Sequence, residues 1–198
     1  MPSTLEVMSG VITVISFGRF ISSIFKGKVV PRKATWVIWS TSNLLTIYGM
    51  YLQDTLNVQA VTGAVGAFVV AGLSFRYGNP GWRTFDLGCM VLAVLGMIVP
   101  RIVPVSPNWS LGIGLLVTFV ALWPTMRDTY RVPEEDDPVA WLLQSTSSIC
   151  MTLAVSVWDI AHAAQPLTYL GIGLIMVFLC FRKKLIGFIF APIAAIND

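Results

Sequence analysis

The chain has 198 residues, 56% hydrophobic and only 12% charged, with a mean hydropathy of +0.76. Soluble domains carry about twice that share of charge, so the composition excludes an ordinary soluble fold and points to an all-α integral membrane protein. The net charge of +3 says little as a total, whereas its distribution along the chain says a great deal.

A helix needs about 20 mostly apolar residues to cross a bilayer, and segments of that kind recur in chain order. The first, 5–25, has no basic leader or small-residue cleavage site before it and is expected to stay. Its Arg19, near the inner edge, can snorkel to the interface. The basic connection "KGKVVPRK" leads to a second span, 34–53, which opens with "WVIWSTSN". The third, 58–75, carries Gly63, Gly66 and Gly72, small residues that permit close helix packing. The fourth, 86–104, is closed by Pro100 and Pro104.

The fifth span, 108–126, contains Pro124, which removes a backbone donor late in the helix and is a hinge candidate. An acidic run (Glu134, Glu135, Asp136 and Asp137) then reads as a solvated loop with Arg127 and Arg131 nearby. The sixth span, 138–158, contains "WLLQSTSS", and the seventh, 164–181, contains Gly171 and Gly173. After Arg182-Lys183-Lys184, the apolar tail 185–198 is too short to span and is expected at the interface. Seven spans leave no room for an extramembrane domain.

Lys and Arg collect in cytoplasmic loops. All thirteen except Arg19 and Arg101 fall in or beside the 1–2, 3–4 and 5–6 connections or the C-terminal flank. This predicts an N-terminus outside, a C-terminus in the cytoplasm and, with no long tail, a bacterial inner membrane. Cys89, Cys150 and Cys180 lie far apart without metal-type spacing and read as packing thiols. No cofactor or metal is implied. His162, one turn from Asp159, reads as a solvated pair rather than a relay or metal fragment, and no span carries an interior lysine for a Schiff base. An enzyme is not indicated, and neither is a nucleic-acid partner.

Laying Trp36 on Trp141 aligns Ser40, Thr41 and Ser42 with Ser145, Thr146 and Ser147 at one offset, and "SFR" at 74–76 has a counterpart in "CFR" at 180–182. Each cluster opens the middle span of a three-span group. Two such groups both run from outside to inside only if an extra crossing separates them, and span 86–104 supplies it. The expected organisation is therefore a first repeat over 1–84, a linker helix over 85–106, a second repeat over 107–184 and the tail 185–198, with parallel repeats about the membrane normal.

This arrangement resembles the SWEET and PQ-loop family of membrane transporters, and more loosely the Pnu-type vitamin transporters. In the PQ-loop pattern a Pro-Gln pair sits near the inner end of the first helix of each repeat. Pro124-Thr125 and Arg19-Phe20 occupy that register here, and "IYG" at 47–49 closes the second helix. Neither copy keeps the glutamine, and the first lacks the proline. The resemblance implies a transporter with a pathway between two bundles.

Polar side chains in hydrocarbon are costly and face the bundle interior. On the sixth span Trp141, Ser145, Ser148, Thr152, Ser156 and Asp159 recur at three- and four-residue steps. Trp36, Ser40 and Asn43 do so on the second, with Trp39 and Gln144 flanking. The expected substrate pathway is thus Trp36, Trp39, Ser40, Asn43, Trp141, Gln144, Ser145, Ser148 and Thr152. The alternative use of these hydroxyls is to bond their own helix or glue helices together. The family's sugar pocket uses asparagines on the third helix of each repeat, and none occurs there, so a more apolar or aromatic solute fits better. Facilitated transport of a small organic solute is expected, since no deep carboxylate offers ion coupling. The alternative is a non-transporting subunit of a larger membrane complex; a homo-oligomer is equally open, and the bilayer is a partner in every case.

Overall fold

The computed structural model describes residues 2–79, 81, 83–103 and 106–194, with no side-chain description for 89, 93, 97, 100, 101, 110 and 184–194. The expectations for Cys89, Arg101 and Pro104, and for 195–198, lie outside that description. Among the described residues the fold is all-helical: α1 (Thr4–Phe25), α2 (Lys33–Tyr51), α3 (Val58–Tyr77), α4 (Thr84–Ile102), α5 (Pro107–Arg131), α6 (Pro138–Ala154) and α7 (Ile160–Ala194), with a 3-10 turn at Pro133–Glu135 between α5 and α6.

The ends follow local chemistry. Ser3 and Glu6 form a reciprocal capping box at α1, the Ser3 N–H donating to Glu6 Oε2 at 2.6 Å. Gly27, at φ +66°, provides the left-handed residue beyond the end of α1. Asn57 caps α3 by accepting from the Ala60 N–H at 2.8 Å, and Asp137 caps α6.

Four helices are long and apolar enough to cross a membrane by length and composition: Thr4–Phe25, Val58–Tyr77, Pro107–Arg131 and the Ile160–Lys183 part of α7. Helices α2 and α6 carry the Trp-Ser-Thr-Ser clusters, which lower their hydropathy.

Helix α3 packs against both α1 and α2, and α7 against both α5 and α6; across the middle, α1 packs on α6 and α2 on α5. Exchanging α1, α2 and α3 for α5, α6 and α7 leaves these main contacts unchanged. Helix α4 stands outside the exchange, against α2 and α5. Two glycines admit the closest approach of α2 and α5: a Cβ at Gly49 would lie 3.0 Å from the Leu111 backbone nitrogen, and one at Gly114 would lie 3.1 Å from that of Thr46.

Three boundaries differ from the sequence reading. Helix α6 ends at Ala154, with Val155 extended, so Ser156 and Asp159 leave the polar stripe and fall in the connection. Helix α5 runs on to Arg131. Helix α7 continues through the basic triplet to Ala194 without a break, about 52 Å at 1.5 Å per residue. No Gly or Pro lies between Gly173 and Gly187, and Arg and Lys are good helix formers. Pro100 likewise lies inside α4, which ends two residues later.

Candidate functional site

The repeated serine clusters meet the opposite half of the molecule. Ser42 Oγ on α2 lies 3.0 Å from Thr118 Oγ1 on α5, and Ser147 Oγ on α6 lies 2.7 Å from Thr13 Oγ1 on α1. These two pairs are separated by the same sequence offset that superimposes Trp36 on Trp141. All four side chains are buried. In each copy the second serine of the Ser-Thr-Ser cluster joins the halves, while the threonine bonds its own helix, Thr41 to the Val37 carbonyl at 2.8 Å and Thr146 to that of Leu142 at 2.9 Å.

Between these hydroxyl pairs and the basic end lies an aromatic stack. Phe20 sits 5.2 Å from Trp36, Trp36 5.0 Å from Trp39, and Trp39 6.1 Å from Trp141, the last two nearly parallel at 13°. The rings border a slot between the halves lined also by Ser16, Phe17, Asn43, Gly63, Ala67, Ala140, Gln144 and Tyr169, none of them charged. It is narrow, with a cavity volume of about 30 Å³, room for about two waters.

The polar atoms around the slot differ in how they are satisfied. Trp141 Nε1 donates to Asp136 Oδ1 at 2.9 Å, which fixes that ring. Tyr169 OH donates to Asn43 Oδ1. By contrast Trp39, 7% exposed, leaves its Nε1–H buried without a partner. The Gln144 side-chain amide has no hydrogen bond among the described residues either. Unpaired buried donors are rare in native interiors because each forfeits its hydration.

On the far side of the slot from the basic end, a buried network ties α3, α6 and α7. Gln59 Nε2 donates to Ser147 at 3.0 Å and Ser148 at 2.9 Å, Gln165 Nε2 donates to Gln59 Oε1 at 3.3 Å, and Asn57 Nδ2 donates to Gln165 Oε1 at 2.8 Å. Both glutamines are fully buried.

At the basic end the acidic run is not a free loop. Asp137 Oδ1 accepts from the Val139 and Ala140 N–H groups at 3.0 and 3.1 Å, while its Oδ2 takes Arg19 Nε at 2.9 Å and the Ser23 hydroxyl. Burial opposes ionisation of Asp137, but the bonds from Ser23 and Ala140 and the Arg19 charge outweigh it and hold the carboxyl below its ordinary range. Burial wins at Asp136 and pushes it up despite bonds from Thr129 and Trp141. Across the molecule Arg32 donates to Asp128 and, at 3.1 Å, to Asp86 Oδ2. A vestibule of about 280 Å³ opens beside Arg32 and Asp128 and shares Phe20 and Trp36 with the slot.

Of the residues expected along a pathway, Trp36, Trp39, Asn43, Trp141 and Gln144 come together at the slot. Ser40, Ser145, Ser148 and Thr152 do not line it. They donate to the carbonyls of Val37, Trp141, Gln144 and Ser148 respectively, and Ser148 also serves Gln59. Pro124 is buried within an unbroken α5. Arg19 is bound to Asp137 rather than merely snorkelling, and among the described residues the acidic run takes its ion pairs from Arg19 and Lys183 rather than from Arg127 or Arg131. Sequence reasoning passed over Gln59, Gln165 and Tyr169, and it aligned Ser42 with Ser147 without placing either among the pathway residues or at the seams. The same offset pairs Thr13 with Thr118, which is the signal that would have found their partners. Comparison with family models, with curated proteins and with solved structures yields no match.

Proposed function

We propose that this chain is a membrane-embedded facilitator for a small, uncharged organic solute bearing a flat ring, moved along a path between two three-helix bundles. In this reading all seven helices cross the bilayer, α4 restores the direction between parallel repeats, and the basic end faces the cytoplasm of a bacterial inner membrane. The exchange pattern of helix contacts supports the repeat. So do the Ser–Thr pairs that recur at the offset of the two Trp-Ser-Thr-Ser clusters.

The observation that carries the function is the slot itself. It lies at the junction of the halves, is walled by nearly parallel tryptophans, and holds a buried indole N–H and a half-buried carboxamide, neither with a hydrogen-bond partner among the described residues. Stacked rings favour a planar guest, and the unpaired donor favours a guest with a carbonyl or ring-nitrogen acceptor. With no charged lining residue, an ionic guest would forfeit its hydration without compensation.

Uptake by counterflow in proteoliposomes tests this, with a panel of neutral heteroaromatics, aromatic amides, hexoses and carboxylates. Uptake of neutral ring compounds, weakened in Trp39→Phe and Gln144→Leu, is expected. Preferential uptake of hexoses or carboxylates would reject the solute class, and no uptake of any panel member would remove support for transport.

A specific feature favours a second reading, a subunit packed within a larger membrane complex. Gly112 and Gly171 border an outward-facing groove between α5 and α7 with open space beside both, and small residues of this kind admit a neighbouring helix. Cross-linking from cysteines placed at Leu116 and Ile175 in native membranes distinguishes it.

A further inference from the structure

We infer that the basic end carries a gate made of two latches at equivalent positions in the two halves, and that releasing them joins the vestibule to the aromatic slot. The first latch is Arg32 with Asp128; the second is Asp137 with Ser23 and Arg19. The offset that lays Trp36 on Trp141 also lays Arg32 on Asp137 and Ser23 on Asp128. Each latch therefore ties the start of the second helix of one half to the inner end of the first helix of the other. The charges are exchanged between copies: the first has its cation on α2 and its anion on α5, and the second its anion on α6 and its cation on α1.

Placement makes this a gate rather than general glue. Among the described residues, every ion pair that crosses between the halves lies at the basic end; Asp159 and His162, at the opposite end, sit three residues apart within one half. Phe20 and Trp36 separate the vestibule from the slot and touch both. Phe20 lies one residue from Arg19, and Trp36 one turn beyond Arg32, so movement of either latch carries a separating ring with it.

The first latch is also incompletely satisfied. Among the described residues, Arg32 Nε and Asp86 Oδ1 are buried without partners, and so is Thr125 Oγ1 on the vestibule wall. A buried polar network with missing partners gains them when water enters, which lowers the cost of opening. The closed slot has too little room for a ring-sized guest, so passage requires such an opening. The inference rests on the carrier reading only in calling this movement a gate; its geometry and test stand apart from transport.

The test is thiol accessibility in the full chain with Cys89, Cys150 and Cys180 replaced by alanine. A reporter cysteine at Ala67, in the slot wall, is labelled with a membrane-impermeant charged thiol reagent in sealed vesicles. A separate Lys28→Cys chain identifies which vesicle face is the basic end. Asp128→Asn and Arg19→Met each remove a partner that is about half exposed, which spares the buried Arg32–Asp86 pair. The labelling rate from the basic end is expected to rise about tenfold in either variant and further in the double variant, since loss of a closed-state contact shifts the population toward the open one. The rate from the opposite face is expected to stay unchanged. An unchanged rate from the basic end overturns the gate, and so does an equal rise from both faces, which reports general loosening. Solute-induced thermal shift of the same variants, measured separately, distinguishes failure of the gate from failure of the carrier reading.

Discussion

Thr13 Oγ1 and Ser147 Oγ lie 2.7 Å apart in the buried seam between α1 and α6. The same Ser147 hydroxyl also lies within reach of Ser9, at 2.9 Å, and Gln59, at 3.0 Å. The hydroxyl of its counterpart Ser42 meets Thr118 across the other seam and, among the described residues, otherwise bonds only the Trp39 carbonyl of its own helix. Two copies of one motif thus hold two seams with unequal numbers of partners.

That inequality predicts unequal costs. Ser147→Ala leaves Gln59 and Thr13 short of a partner in a buried site and is expected to destabilise by about 1–3 kcal/mol. Ser42→Ala is expected to cost less, with a Ser42–Thr118 coupling near the ~0.6 kcal/mol typical of interhelical bonds in membranes. Unfolding in mixed detergent, read by tryptophan fluorescence, gives both; equal costs would contradict the assignment of Ser147 as the hub.

Gly49→Ala should be more damaging than Gly171→Ala, although both lie on helix interiors. The new Cβ at 49 meets the Leu111 backbone, which cannot yield without parting α2 from α5, whereas the one at 171 meets open space. Overpacking of this kind costs about 1–3 kcal/mol. Thermal unfolding midpoints of the two variants provide the comparison, and a larger loss at 171 would refute it.

Trp39→Phe removes the unpaired indole N–H while keeping a ring in the stack. Thermal stability is expected to hold or rise, because a buried unsatisfied donor disappears, and affinity for ring-bearing solutes is expected to fall. Calorimetric binding alongside unfolding separates the two effects. A clear loss of stability would show that the N–H is satisfied in the folded protein.

The Asp137 latch sets a pH window. Its carboxyl is held below the ordinary 3.8, so its contribution is present above the unfolded value and lost as pH falls through the folded one. The Arg19–Asp137 coupling should therefore be constant from about pH 7 to about pH 5 and vanish only in stronger acid. A double-mutant cycle with Arg19→Met and Asp137→Asn across this range measures it. A coupling that fades already near neutrality would mean the carboxyl is not held down.

Several features were legible in the residues alone. Low charge and apolar segments of spanning length place the starts of the helices within a few residues, since they depend on near neighbours in sequence, whereas the ends of α5, α6 and α7 fall elsewhere than the sequence reading put them. Trp36, Trp39, Asn43, Trp141 and Gln144 were recognisable as interior polar and aromatic side chains because hydrocarbon penalises them elsewhere. The run of Asp136 and Asp137 was misread as a solvated loop, because a composition of charges does not reveal an arginine 118 residues away.

What the sequence determined by itself is the set of helices and the apolar, charge-poor character of the segments that form them. Helix formation and burial preference are local or additive, so single residues carry them. Only the tertiary structure decided which hydroxyls bond their own helix and which cross to the other half. A serine offers the same donor to an i−4 carbonyl or to a threonine across a seam, and the approach of the two helices selects between them. The same holds for Trp39 and Trp141: identical side chains, one N–H paired with Asp136 and the other left unpaired beside the slot.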